Sequence, residues 1–186
     1  VSNFTDIDDR IIERAKQENK QEAEVSESVI QEILDTYKAL NCLPHYKNPK
    51  VTETIDDIVD FIALLVEKGS AYVVDGDVYF DLDQLDEYGV VSGQTKEHLL
   101  AGVRIEENEK KKTPLDFNLW KSTNQGLRWD SPWGLGRPGW HTECVVMIQS
   151  IFQGKIDIHG GGSDLKFPHH DNEIAQAECT HNHAIA

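Results

Sequence analysis

Apolar residues in the first third of the chain recur at three- and four-residue intervals, the spacing of one helical face. Residues 1–5 read as a short strand. From Asp6 the period changes: Ile7, Ile11, Ile12 and Ala15 share a face. Asp6, Asp8 and Asp9 crowd the first turn, where the helix dipole favours carboxylates. The polar run KQEAEVSES at 20–28 opens a second helix, with Val29, Ile33, Leu34, Tyr37 and Leu40 as its expected apolar face. A proline-marked connection, NCLPHYKNPK, follows. Thr52 or Thr54 is placed to cap a third helix, whose stripe is Ile55, Ile58, Val59, Ile62, Leu65 and Val66 and whose end is marked by Gly69.

Beyond Gly69 the period shortens to two. AYVVDGDVYFDL sets two β-rich runs around Asp75-Gly76, a favoured type I′ turn pair, and predicts a hairpin. A stretch of weak periodicity and several charges comes next. SPWGLGRPGW, rich in Gly, Pro and Trp, predicts irregular backbone. WHTECVVMIQSIFQ predicts a helix from Trp140, KIDIH a short buried strand ending at His159, and GGGSD a turn. A last helix is expected from Pro168 through Ala177, proline suiting a first helical turn. The order of elements predicts an α/β fold: pieces of a parallel sheet interrupted by an insertion.

The 186 residues are 39% hydrophobic, enough for a packed core. The longest apolar run, FIALLV at 61–66, lies inside an amphipathic segment and is far too short to span a bilayer; no secretory signal pattern is present. Three scattered cysteines without a C-x-x-C pair fit a reducing, cytoplasmic setting. The opening VSNFTD and the closing HNHAIA both read as the inside of a structure, so a portion of a longer polypeptide is expected. The net charge of −15 argues against wholesale nucleic-acid binding, which needs a basic surface. The basic run Lys110 to Lys112 follows EENE and reads as a solvated, self-neutralised loop.

The chemistry concentrates in the last third, where six of the eight histidines lie beyond residue 140. His169 and Glu173 are four apart, which on a helix puts an imidazole and a carboxylate on one face. His170 is expected to point about 100° away. Cys144, on the preceding helix, offers a third, softer ligand. Cysteine, histidine and glutamate together suit zinc better than magnesium or calcium, which prefer oxygen alone. Each feature has a plainer reading: i,i+4 His/Glu pairs are common, and a lone cysteine is usually a small buried hydrophobe. Three consecutive glycines after a predicted strand let backbone approach a ligand closely, at the strand end where parallel sheets bind ligands. Asp164, just past them, could accept from ribose hydroxyls. Neither G-x-x-x-x-G-K-[ST] nor G-x-G-x-x-G is present.

GRPGWHTEC, IHGGGSDLKFPHHDNEIAQ and the opening FTDIDDRIIERA together resemble the cysteinyl-tRNA synthetases, class I aminoacyl-tRNA synthetases. DGDVYFDL, YGVVSGQ, LLAGVR and PLDFNLWK resemble the insertion of that family and the return from it, so the resemblance covers the chain in order. It implies part of a Rossmann-like, parallel-sheet catalytic domain interrupted by an α+β connective insertion. Residues 1–20 would end the first half of the catalytic domain, 21–115 form the insertion, and 116–186 begin the second half.

It also implies a chemistry. Family members activate cysteine with ATP, expected with Mg2+, to cysteinyl-adenylate and pass the cysteinyl group to tRNA(Cys). One Zn2+ binds the substrate thiolate. Of the family's four zinc ligands, the second cysteine matches Cys144, the histidine His169 and the glutamate Glu173; the first cysteine belongs upstream of Val1. Zinc prefers thiolate to hydroxyl and lowers a bound thiol's pKa, so serine can be rejected at binding, without editing. Thr5, Asp6, Trp140 and His141 match positions around the bound amino acid, with Thr5 read from the residues alone as a helix cap. His159, Gly161, Gly162 and Asp164 match the adenylate-binding loop.

The departures are equally specific. The His-x-Gly-His motif, the Lys-Met-Ser-Lys-Ser loop and the anticodon-binding region are not in this sequence, so the chain alone is expected to be inactive and to carry little RNA-binding surface. Asp171 stands where the family usually has Glu, with little expected effect. Oligomeric state is not legible, and no membrane partner is implied. Three other readings fit the same ligand set: an ATP-dependent ligase joining cysteine to an amino sugar, a zinc hydrolase, and a structural zinc module.

Overall fold

The computed structural model describes residues 1–102, 110–181 and 185–186. Val103 and Arg104 of LLAGVR, the EENE stretch and residues 182–184 of the terminal HNHAIA lie outside them. Helix α1 (Asp9–Glu18) starts after Asp8, whose carboxylate accepts the Arg10 N–H, and stops at Asn19 in the left-handed region. Asp6 is therefore outside the helix. It is buried, and accepts from the Thr52 N–H at 3.1 Å and the Thr52 hydroxyl at 2.5 Å. The expected strand at 1–5 is a single parallel bridge between Phe4 and Lys50.

A capping box of Gln21 and Glu24 opens α2 (Glu22–Ala39). Its buried residues are Val25 and Ile30. Leu40, expected on the apolar face, is 69% exposed because the helix ends one residue before it. Thr54 occupies the N-cap of α3 (Ile55–Glu67), but its hydroxyl donates to the Val51 carbonyl, and the Thr52 hydroxyl is taken by Asp6. Neither threonine caps α3 through its side chain.

The sheet has strand order β1 (Ala71–Val74), β2 (Asp77–Phe80), β3 (Phe117–Ser122), β4 (Gly136–Pro138), antiparallel throughout. Asp75 and Gly76 turn the hairpin with φ of 50° and 83°, the two positive values a type I′ turn requires. β4 falls inside SPWGLGRPGW, where the sequence predicts no strand. Glycine makes it possible: a Cβ at Gly139 would stand 2.0 Å from the Asn118 carbonyl oxygen, so only glycine lets this segment lie against β3.

KIDIH is not a strand. Ile158 is 87% exposed; the segment's backbone is tied by the Ile156 N–H on the Ile185 carbonyl, at 3.0 Å, and its last residue, His159, by its side chain to Glu173. A strand exists only through pairing, and among the described residues none runs beside it. The chain thus mixes helix and strand as an α/β protein does, but its regular sheet here is antiparallel.

α3 is the centre of the core. Its Ile58, Ile62 and Leu65 are fully buried against Val78 and Phe80 of β2, Leu119 and Trp120 of β3, and the apolar face of α5 (Thr142–Phe152). The lysine run is more engaged than its composition implies. Lys110 pairs with Asp77 at 2.9 Å and Lys112 with Asp81 at 2.8 Å, fastening this segment to the hairpin. No helix among the described residues is long and apolar enough to cross a membrane.

Ile62→Ala leaves a cavity at the centre of the core and should cost about 2–5 kcal/mol. Leu40→Ala should stay within about 0.5 kcal/mol. Urea unfolding of the two variants measures the contrast; equal losses would misplace the core.

Candidate functional site

Two helix starts meet at the site. β4 leads through Gly139 into Trp140 and His141, the residue capping α5, so Cys144 falls in the first turn of that helix. The other start is α6 (Asp171–His181), which begins three residues later than Pro168. The residue before proline is driven to extended backbone, and Phe167 has φ −129° and ψ 131°. A wide, π-type turn spanning 166–170, broken at Phe167, then carries His169 and His170 into α6.

Cys144 Sγ lies 3.7 Å from His169 Nε2, and His169 Nε2 lies 3.1 Å from Glu173 Oε1. All three ligand atoms are within 4.8 Å of one another. Zinc bond lengths in a tetrahedron place ligand atoms about 3.4–3.6 Å apart, so separations of 3.1 and 3.7 Å lie within a few tenths of an ångström of what one ion needs. Glu173 is fully buried, yet its Oε1 accepts no hydrogen bond. A buried carboxylate oxygen without a donor is costly unless a cation faces it.

The remaining atoms fix this arrangement. Glu173 Oε2 accepts from His159 Nε2 at 2.7 Å and from His170 Nδ1 at 2.8 Å. His170 therefore does not point away: it shares the carboxylate, because three residues also bring side chains together on a helix. Burial alone would push the Glu173 carboxyl up; the imidazoles of His159 and His169 outweigh it and hold the group well below the usual carboxylate range. The same hydrogen bond raises His159.

His169 Nδ1 sits 3.1 Å from His141 Nδ1. For Nε2 to ligate a metal it must be bare, which puts the proton on Nδ1 and makes His141 the acceptor. Burial, then the neighbouring His169, lower His141 to about 4, so it is neutral at pH 7 and able to accept. Gln176, fully buried, donates to the His141 carbonyl at 3.0 Å. Asn3 donates to Cys144 Sγ at 3.7 Å. Burial first, then the carboxylates of Glu173 and Glu143, push the Cys144 thiol well above its ordinary range. Only a cation at this site would favour the thiolate.

Among the residues read from the sequence, Cys144, His169, Glu173, His141 and His159 converge. Trp140, half exposed, lays its ring 4.7 Å from that of His169 and covers one side. A cavity of about 480 Å3, lined by Asn3, Cys144, Ile148, Ile156 and His159, opens on the other. Gly161, Gly162 and Asp164 form an exposed edge joined to the cluster through His170, since a Cβ at Gly161 would meet His170 Nε2 at 2.5 Å. Thr5 bonds Glu143 and Asp6 bonds Thr52, so neither side chain enters the cluster. Asp171 is buried and accepts the Val91 N–H at 3.0 Å, tying the YGVVSGQ stretch to α6. Asn3, Glu143 and Gln176 were not singled out by sequence reasoning, and His170 was named there only as pointing away. Only His170, three residues before Glu173, carried a local signal.

The family model for the tRNA synthetases class I (C) catalytic domain matches residues 1–186, and the chain belongs to that family. A Bdellovibrio bacteriovorus protein named Cysteine--tRNA ligase is 51% identical over 180 residues, covering 96% of this chain and 37% of that protein. Proteins of the same name from Finegoldia magna and Aquifex aeolicus are 51% and 52% identical, with 98% and 96% of this chain matched. The chain spans 36–40% of the length of these relatives.

Glu143 gives a pH prediction. Burial, then Asp6 and Asp8, raise its carboxyl well above the ordinary range, and its Oε2 has no partner. The native state therefore holds a proton that the unfolded chain releases, so stability falls as pH rises above the ordinary carboxylate range. Glu143→Gln should unfold at a higher temperature than the parent sequence at pH 8 and at a similar one at pH 4. Thermal unfolding of the 186-residue chain at the two pH values checks this; an unchanged difference between the variants would assign the pH dependence elsewhere.

Proposed function

We propose that this chain is the thiol-recognising portion of a cysteine-tRNA ligase. The full-length protein would activate cysteine with ATP and Mg2+ to cysteinyl-adenylate, release pyrophosphate, and transfer the cysteinyl group to tRNA(Cys). Family membership supports the class of reaction. The observation that carries the substrate is the convergence of Cys144, His169 and the donor-free Glu173 Oε1 on one point. Cys144, His169 and Glu173 would hold zinc. When bound, zinc supplies a soft Lewis acid that favours a thiolate over a hydroxyl.

The chain's own residues set the frame for that choice. His141 accepts from His169 and fixes its tautomer. Trp140 covers the site beside His169 and excludes water from one side. His159 commits Nε2 to Glu173, leaving Nδ1 for the adenylate, and Asp164 offers an exposed carboxylate for a ribose at the end of the glycine loop. On this reading residues 1–20 and 116–186 are halves of the catalytic domain and 21–115 the insertion, with β3 extending the sheet of the insertion's hairpin.

Full-length protein should show cysteine-dependent ATP–pyrophosphate exchange and bind one zinc. Cys144→Ser should lose both by tenfold or more. Asp164→Ala should weaken ATP use and keep the zinc. Retained zinc with normal exchange in Cys144→Ser would overturn the proposal, and metal-dependent ester or peptide hydrolysis without exchange would put a hydrolase in its place.

A further inference from the structure

The His159–His170–Glu173 group could itself be read as a second metal site. Its distances decide against that. The two imidazole nitrogens stand 2.7 and 2.8 Å from one carboxylate oxygen, which is direct hydrogen-bond separation and shorter than the roughly 3.4 Å edge a tetrahedral ion imposes between nitrogen and oxygen ligands. Both imidazoles are donors here, because an ionised carboxylate only accepts. The Glu173 carboxylate is thus divided in function. Oε2 is anchored twice and Oε1 is left without a donor, facing Cys144 and His169.

One of the two anchors has a second contact. The ring of His170 is largely buried, and its far edge stands where a Cβ on Gly161 would be, 2.5 Å from Nε2 and 2.9 Å from Cε1. Gly161 is not glycine for its backbone angle: the left-handed glycines are elsewhere in the chain. It is glycine for space, and what occupies the space is the imidazole that holds Glu173.

We infer that His170 is a positioning residue that couples the glycine loop to the metal carboxylate. Its Nδ1–H fixes Glu173, and its opposite edge seats the backbone of Gly161. Displacing the loop toward the ring turns the ring from the carboxylate, and occupancy of the metal site in turn holds the loop in place. The inference rests on the metal-site reading above, and concerns how a residue that is not a ligand controls it.

The test is zinc affinity of the full-length protein, measured by competition with a chelator, together with zinc stoichiometry. His170→Ala removes both contacts and should weaken zinc by about 10–100-fold. His170→Asn keeps a donor at the Nδ1 position and removes the far edge of the ring, so it should restore most of the affinity. Gly161→Ala, in an exposed loop, should weaken zinc severalfold in the parent sequence and leave it unchanged in the His170→Asn background, the signature of a direct coupling. Parent-like affinity in His170→Ala would overturn the inference. So would a Gly161→Ala effect of equal size in both backgrounds, or two zinc ions per chain. Failure of the metal-site reading itself looks different: the parent sequence would bind no zinc, or Cys144→Ser would bind it equally well.

Discussion

The site depends on one buried carboxylate used from both ends. Glu173 is fully buried, and an isolated charge there would be expensive. Two imidazoles stabilise it at Oε2, so it stays ionised, while Oε1 accepts no hydrogen bond and faces His169 Nε2 at 3.1 Å. A cation facing that bare oxygen would offset its cost. The rest of the cluster follows from this polarity. His169 presents Nε2 toward Oε1 and turns Nδ1 to a neutral His141, and burial with the nearby Glu173 favours the protonated form of Cys144.

The fold serves this by bringing two helix starts together. α5 and α6 pack on α3, the most buried helix in the core, and each delivers candidate ligands from its first turn or the turn just before it. The antiparallel sheet sets one of those starts: β4 lies against β3 only because Gly139 lacks a Cβ, and the chain then enters Trp140 and His141 in register with His169. Proline sets the other, forcing Phe167 extended so that His169 and His170 ride a wide, π-type turn into α6.

Much of this was legible in the sequence where a local rule governs. The stripe of α3, the Asp75-Gly76 turn and the ligand spacing of His169 and Glu173 are periodicity and turn chemistry, which neighbours along the chain determine. What was not legible is non-local. β4 has no β-propensity and exists through a close approach to β3. KIDIH has the propensity but, among the described residues, no strand beside it, so it bends at Asp157 and leaves Ile158 exposed. Asn3 reaches Cys144 from 141 residues away, and no spacing rule connects them. His170 was placed off the ligand face by counting one residue of helical angle from His169, whereas the turn over 166–170 is not regular α-helix.

The central claim is that this carboxylate, thiol and imidazole hold an ion that selects a substrate by its sulfur. X-ray absorption at the zinc edge of the full-length protein, with and without cysteine, tests it most directly. The account predicts that cysteine adds one sulfur to the zinc shell and that serine adds none. An unchanged shell in the presence of saturating cysteine would contradict it.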